Sequence, residues 1–206
     1  MSRVDRFAPG RQPSGRTPAP GRLGLVQAFA NAFWDLDAGG ADLWADRDGY
    51  ARWLAERGFA ADGAAVTEAD RRRALELREA LRRMALTHHD APGAPPPAAE
   101  LAILDEVARR APLHVRFGGD EGPTPRHEPA GDGPDAVLAL VVAVVAEAMA
   151  DGSWTRIKAC PGPHCGWLFY DASRNRSRQW CSMQLCGNRV KGREFRARRR
   201  GEGAAA

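Results

Sequence analysis

All four cysteines of this 206-residue chain lie in its last quarter, as Cys160-x4-Cys165 and, after fifteen intervening residues, Cys181-x4-Cys186. Two close pairs separated by an insert of hairpin length predict four thiolates around one tetrahedral ion, and zinc is the usual metal in such sites. Four thiolates fill the coordination shell, so we expect one structural zinc ion and no catalytic one. His164 is an alternative ligand that a Cys₄ set does not need.

Positive charge is concentrated in the same part of the chain. Residues 156–200 contain twelve Lys and Arg but only Asp171 and Glu194, for a net charge of +10. The whole chain carries +4, which leaves −6 for the remainder. An acidic body joined to a strongly basic module indicates a polyanionic partner such as nucleic acid.

The rest of the chain has the composition of an ordinary globular protein, with 44% apolar and 27% charged residues. Residues 1–21 are rich in Pro, Gly, Arg and Ser, which predicts a disordered arm, and we expect a short disordered tail at 201–206. A strand at 113–117 with a weak partner in 118–133 predicts one small hairpin. Apolar periodicity predicts helices over 23–36, 46–58, from Thr67 to a point before Pro92, 98–110 and 136–149.

Residues 22–152, called the body below, are therefore predicted to form a mainly α domain. Residues 153–200, called the finger, predict a treble-clef-like zinc site in which a hairpin precedes a helix. The aromatic segments 167–170 and 178–180 are the expected strands, and 171–177 is the polar turn between them. Ser182 is a good N-cap for a helix that continues to about residue 198.

The basic residues of the finger fall into two groups. Arg174, Arg176 and Arg178 alternate along the expected turn and strand, and the others recur around the expected helix. Backbone phosphates are the expected target for most of them, and Asn188 or Arg189 is a candidate for reading a base edge. The alternative is that they are solvated or support the thiolates, as we also expect for Lys158. The full candidate set for nucleic-acid binding is Arg174, Arg176, Arg178, Asn188, Arg189, Lys191, Arg193, Arg196, Arg198 and Arg200.

The body offers weaker candidates. His88 and His89 lie near a helix end without an acid or Cys at ligand spacing, so we interpret them as solvated imidazoles. Asn31 is polar within an apolar stretch and is a candidate for bridging a loop or contacting a ligand. The aspartates between residues 35 and 48 resemble caps and turns more than a catalytic pair. With no phosphate-binding loop and no activated nucleophile, we expect no enzymatic activity.

Two parts of the chain resemble known families. The segment from Arg156 to Arg189 resembles the CGNR-type zinc finger, whose Cys-Gly-Asn-Arg signature stands here at residues 186–189. The body resembles the ABATE-type domain that precedes such fingers, through residues 42–54 and the Arg-Leu pattern of 73–83. The resemblance implies a bacterial, stress-linked transcription regulator whose finger binds DNA. It also implies four zinc ligands at Cys160, Cys165, Cys181 and Cys186.

These observations lead to one leading hypothesis and one rival. The leading hypothesis is a zinc-dependent regulator that binds double-stranded DNA through the basic finger. The rival is a protein-interaction module whose finger docks an acidic partner or its own body. The first residues lack the apolar core of a signal peptide and no apolar stretch spans a bilayer, so we expect cytoplasmic residence without membrane contact. The sequence is compatible with a homodimer and with a small-molecule effector at the body.

Overall fold

The computed structural model of the chain describes residues 5–33, 41–59, 65–89, 95–118 and 124–203, with side chains as far as residue 199. Helices dominate and two small antiparallel hairpins accompany them, which confirms the predicted fold class. The elements in chain order are α1 (Leu23–Ala30), α2 (Arg47–Glu56), α3 (Glu68–Thr87), α4 (Ala98–Arg110), β1 (Leu113–Arg116), β2 (Arg126–Pro129), α5 (Pro134–Ala150), β3 (Ile157–Ala159), β4 (Leu168–Tyr170) and α6 (Asn188–Gly203).

Local sequence signals explain where several helices begin. The Thr67 hydroxyl accepts from Asp70 N–H (3.1 Å) and the Asp70 carboxylate accepts from Thr67 N–H (2.8 Å), and together these two hydrogen bonds form a capping box at the start of α3. Asp46 caps α2 by accepting from Gly49 N–H (2.7 Å). Of the helix predicted over 23–36, α1 covers residues 23–30; residues 31–33 form a turn and a β-bridge instead, and residues 34–36 lie outside the described residues.

Helix α5 is the centre of the body because its sequence is apolar on every side. Its residues 136–145 are all buried, and it packs against α1, α3, α4 and the β1–β2 hairpin. The small hairpin predicted for residues 113–133 is present, and it pairs Leu113 with Pro129 and Arg116 with Arg126. An aromatic cluster completes the core, with edge-to-face contacts from the Trp44 ring to Phe29, Tyr50 and Trp53 at centroid distances of 4.9, 5.1 and 5.2 Å. No helix among the described ranges is long and apolar enough to cross a bilayer.

Composition predicts a disordered arm over residues 1–21; residues 1–4 lie outside the described residues, and residues 5–21, called the N-terminal segment below, have a defined place in the structure. They lie on α1: Ala19 N–H donates to the buried Gln27 side chain (2.7 Å), and a Cβ placed on Gly24 would be 2.1 Å from the Phe7 carbonyl oxygen. Composition alone suggested disorder, but glycine at position 24 lets the segment reach the helix backbone. At the other end, α6 continues to Gly203, into the tail expected to be disordered.

Candidate metal centre

The first two cysteines are placed by a tight loop between β3 and β4. Cys160 N–H donates to the Trp167 carbonyl (2.9 Å), and Cys165 N–H donates to the Gly162 carbonyl (3.0 Å). Gly166 has a φ of +60°, a conformation that favours glycine. A Cβ on Gly162 would lie 3.4 Å from the Cys160 Sγ and 3.3 Å from the Cys186 Cβ, so side chains here would crowd the thiols.

The second pair lies where the chain enters α6. Ser182 is the N-cap as predicted, accepting from Leu185 N–H (3.4 Å), but the first turn is a π-helical turn over Met183–Gly187 and not part of an α-helix. This wide turn carries Cys186 back towards Cys181. A Cβ on Gly187 would lie 2.4 Å from the sulfur of Met183, an exposed and flexible side chain that would have to move.

The four thiols converge in one buried cluster. All four sulfur atoms lie within 4.8 Å of one another, with 3.7 Å from Cys165 Sγ to Cys181 Sγ and 3.6 Å from Cys181 Sγ to Cys186 Sγ. Zn–S bonds of about 2.3 Å give a tetrahedron with edges of about 3.8 Å, whereas a disulfide needs about 2.05 Å. The spacing therefore fits a tetrahedral ion and excludes disulfides, and the soft thiolate donors fit zinc.

Positive groups from distant segments surround the cluster. Hydrogen bonds from Cys160, Cys165 and Cys186 lower the pKa of Cys181, and the neighbouring Arg16 lowers it further. Arg82, on α3, is half-buried and donates to the Gly166 carbonyl beside Cys165. Neither arginine was predicted, because nothing local in the sequence links residues 16 and 82 to the finger.

Lys158, which we expected to support the thiolates, has another role. Its ammonium group is buried and donates to the Asp171 carboxylate (2.9 Å) and to the carbonyls of Arg176 (2.5 Å) and Arg178 (3.1 Å). Burial raises the pKa of Asp171, but hydrogen bonds from Ser173 and Lys158 outweigh it and hold the pKa below its usual value. The ion pair of Lys158 with Asp171 therefore holds the turn that leads to Cys181.

The hairpin of the finger differs from the predicted one. Strand β4 pairs with β3, in the register Ile157 with Tyr170 and Ala159 with Leu168, and the described residues 178–180 form no strand. The first cysteine pair therefore lies in the loop of the hairpin. Strands β3 and β4 pair with each other at the base of the loop, and the hydrogen bond from Cys160 N–H to the Trp167 carbonyl closes it. This pairing positions the two cysteines.

Comparisons with known proteins agree with this geometry. The ABATE family model, whose description is "Putative stress-induced transcription regulator", matches residues 23–152, and the CGNR zinc finger model matches residues 156–199. The chain belongs to the ABATE family. Both resemblances are thereby confirmed, and with the buried cluster they confirm one structural zinc ion at the four cysteines. No curated protein shows significant similarity to the chain.

The ABATE body and the finger share one hydrophobic core. Trp154, Ile157, Ala159 and Leu168 are buried with the residues of α1, α3 and α5. The flanking Trp167 and Phe169 pack instead against the cysteines, because neighbouring side chains of a strand point to opposite sides. Strand β4 thus joins the body core to the zinc site.

Polar side chains of the ABATE body bind the finger backbone. Asn31 donates to the Leu168 carbonyl (2.8 Å) and accepts from Leu168 N–H (2.8 Å), which is the bridging role considered for it. His88 Nδ1 and His89 Nε2 lie 2.7 and 2.6 Å from the carbonyls of Ile157 and Ala159. The prediction of solvated imidazoles is therefore wrong. Because a carbonyl oxygen only accepts hydrogen bonds, the proton is on Nδ1 in His88 and on Nε2 in His89. Burial lowers the pKa of His88.

The ten candidate residues for nucleic-acid binding lie in different environments. Arg178 donates to the carbonyls of Trp180 (3.1 Å) and Cys181 (2.9 Å), so its guanidinium holds the loop before the third cysteine. Arg176 is exposed and donates to the Thr155 hydroxyl (2.8 Å), Arg189 is half-buried, and the side chain of Arg200 lies outside those described. The remaining candidates are exposed: Arg174, Asn188, Lys191, Arg193, Arg196 and Arg198.

Proposed function

We propose that this ABATE-family chain is a zinc-dependent transcription regulator that binds double-stranded DNA through helix α6 and the adjoining turn. The observation that carries the proposal is the surface of α6, where all residues from 193 to 199 are exposed. Four of these seven are arginines and only Glu194 is acidic. Phe195, the aromatic residue of this stretch, is 55% exposed. A helix with this composition gains little from packing, and a polyanion would relieve its charge repulsion.

The dimensions of α6 suit a duplex. Sixteen residues at 1.5 Å each give a rod about 24 Å long, and an α-helix fits the major groove of B-DNA, which is about 12 Å wide. We define the basic surface as Arg174 and Arg176 in the turn together with the arginines and lysine of α6. Asn188 is exposed in the first turn of α6, where its amide can pair with adenine or its neighbour Arg189 with guanine.

Two further assignments belong to this proposal. Four cysteines complete a tetrahedral zinc shell, which supports a structural ion and a protein without enzymatic activity. The four cysteines are arranged for a metal ion and form no disulfide, which supports residence in a reducing compartment such as the cytoplasm, where cysteines are kept reduced.

Salt dependence of duplex binding tests the proposal. If five phosphates are contacted, the logarithm of the association constant for DNA should fall linearly with the logarithm of the salt concentration, with a slope of about −4 to −5. Titrating the zinc-loaded protein into a labelled duplex between 50 and 300 mM salt, roughly the range in which counterion release is measured, gives this slope. A salt-independent affinity would contradict the proposal.

A matched pair of variants separates local contacts from net charge. Arg193→Gln/Arg198→Gln removes two charges from α6, and Arg109→Gln/Arg110→Gln removes two from exposed positions of α4. We expect the first to reduce the slope by about 2 and weaken binding at least tenfold, because two phosphate contacts disappear. We expect the second to change affinity less than twofold. Equal losses would indicate a nonspecific charge effect.

The rival function, docking of an acidic protein, predicts a different outcome. The body binds backbone carbonyls of β3, of β4 and of the loop between them through Asn31, Arg82, His88 and His89. These contacts leave exposed arginines of α6 available. Polyglutamate of the same charge as the duplex distinguishes the two functions. Tighter binding of polyglutamate than of DNA at physiological salt would favour the rival.

A further inference from the structure

A cavity of about 440 Å³ lies where the N-terminal segment, the body and the finger meet. The N-terminal segment contributes Pro9 to Arg16, the body contributes Trp53 and Arg57, and the finger contributes Trp167 and Leu185. Its volume falls within the range of pockets that hold small organic ligands. The zinc ion does not require this cavity, and neither does DNA binding.

The cavity is lined by three arginines and by no acidic side chain among the described residues. Arg16 is only 3% exposed: its Nη1 donates to the Pro13 carbonyl (2.5 Å), its Nε and Nη2 have no nitrogen or oxygen partner among the described residues, and its guanidinium neighbours Cys181, whose pKa it lowers. A buried guanidinium is costly unless anions or other acceptors surround it, and the Cys181 thiolate supplies one of them. Arg11 and Arg57 add two more positive charges.

Indole rings provide the other half of the site. The Arg16 guanidinium lies 4.8 Å from the ring centroid of Trp167, and that of Arg57 lies 4.9 Å from Trp53. Both indoles are buried, and Leu43 and Leu185 extend the apolar lining. Cation-π contact holds each guanidinium over an aromatic surface, so charged donors and flat apolar groups face the same space.

The other large depression, about 630 Å³ along α3, has a different charge balance. Three of its four arginines are paired: Arg73 with Asp70 and Asp135, Arg83 with Glu100 (2.5 Å) and Arg110 with Glu106 (3.0 Å). Glu76 and Glu79 also line it. Of these two cavities, the one beside Arg16 therefore combines arginines, without any acidic side chain in its lining, with aromatic surfaces.

We propose that this cavity binds a small aromatic organic anion, a carboxylate or a sulfonate. Its charged group is held by Arg11, Arg16 and Arg57, and its ring packs on Trp53 and Trp167. The ligand touches Leu185, one residue before the zinc ligand Cys186, so occupancy links the N-terminal segment to the metal centre. The binding itself does not depend on the DNA proposal.

Anilinonaphthalene sulfonate is a suitable probe, and N-phenylnaphthylamine is its neutral counterpart. Titration of the zinc-loaded full chain, followed by dye fluorescence and by calorimetry, should show one anion per chain. We expect the anion to bind at least tenfold more tightly than the neutral dye, because charge-assisted hydrogen bonds are available only to the anion. Equal affinities, or the absence of a saturable single site, would overturn the proposal.

Variants locate the site. Arg11→Met and Arg57→Met should each weaken anion binding about tenfold and leave the neutral dye unchanged. Arg52→Met, at an exposed position of α2 outside the cavity lining, is the matched control and should have no effect. Arg57 also donates to the Ala8 carbonyl (2.8 Å), so its loss can loosen the N-terminal segment. Arg11 makes no hydrogen bond or ion pair with the described residues, and unchanged anion binding in Arg11→Met would overturn the proposal on its own.

Discussion

The β3–β4 hairpin and helix α6 belong to the same finger but differ in burial, charge and partners. Five of the six hairpin residues are buried, and the body binds their backbone through Asn31, His88 and His89. Residues 193–199 of α6 are all exposed and mostly basic. The difference indicates a division of labour, in which the hairpin anchors the zinc site in the body and α6 projects from it. The following predictions test that division, from the largest effect to the smallest.

Loss of zinc should destabilise the body as well as the finger. Structural zinc contributes about 10–16 kcal/mol to the folding of isolated fingers, and here Ile157 and Leu168 belong to the body core. We expect chelation, or Cys181→Ser, to lower the melting midpoint of the helical circular dichroism signal by roughly 10 °C or more. The chelator should have no further effect on Cys181→Ser. An unchanged body transition would show that the finger is independent.

Asn31→Leu should break the anchor without touching the metal ligands. It leaves the buried N–H and carbonyl of Leu168 without their Asn31 partners, at a cost of about 3 kcal/mol in the free energy of unfolding. Asn175→Leu makes the same change at an exposed position of the turn and should cost less than about 0.5 kcal/mol. Urea denaturation measures both. Similar costs in the two variants would refute the anchoring role of Asn31.

The buried His88 should make stability depend on pH. Burial lowers its pKa below the ordinary value of 6.5, so above pH 6.5 the imidazole is neutral in both the folded and the unfolded chain. As pH falls below 6.5, the unfolded chain gains a proton that folded His88 does not, and the free energy of unfolding decreases until the lowered pKa is reached. His88 contributes at most about 1.4 kcal/mol per pH unit to the slope of the free energy of unfolding against pH.

Comparison of two variants isolates this contribution from protonation of the thiolates. His88→Gln should flatten the pH dependence between pH 6.5 and the lowered pKa, because glutamine can still donate to the Ile157 carbonyl but does not titrate. His114→Gln, at an exposed position, should leave the pH dependence as in the wild type. If both variants retain the wild-type slope, His88 is not the titrating group.

Substitutions on α6 should have the smallest effect on stability. Arg193→Gln/Arg198→Gln should change the free energy of unfolding by less than about 0.5 kcal/mol and leave zinc content unchanged, since both side chains are exposed. Chemical denaturation and metal analysis check this. A loss of several kcal/mol would mean that α6 supports the fold, and the contrast with the hairpin would disappear.

Short-range features of the sequence predicted their structural counterparts well. The Cys-x4-Cys spacings, the Thr67–Asp70 capping box and the apolar run of α5 each depend on residues only a few positions apart or on one continuous segment. The pairing of the finger hairpin was not predictable in this way. Segments 167–170 and 178–180 are both aromatic, and the choice of 157–159 as partner depends on the body that covers β3.

The sequence by itself determined the zinc ligands, most helices and the concentration of positive charge, because these depend on spacing and composition within one segment. Tertiary structure alone decided that the N-terminal segment packs on α1, that Arg16 and Arg82 lie beside the cysteines, and that His88 and His89 bind β3. The physical reason is that a buried polar group takes its partner from whichever segment folding places against it. That segment can be more than a hundred residues away, as Leu168 is from Asn31.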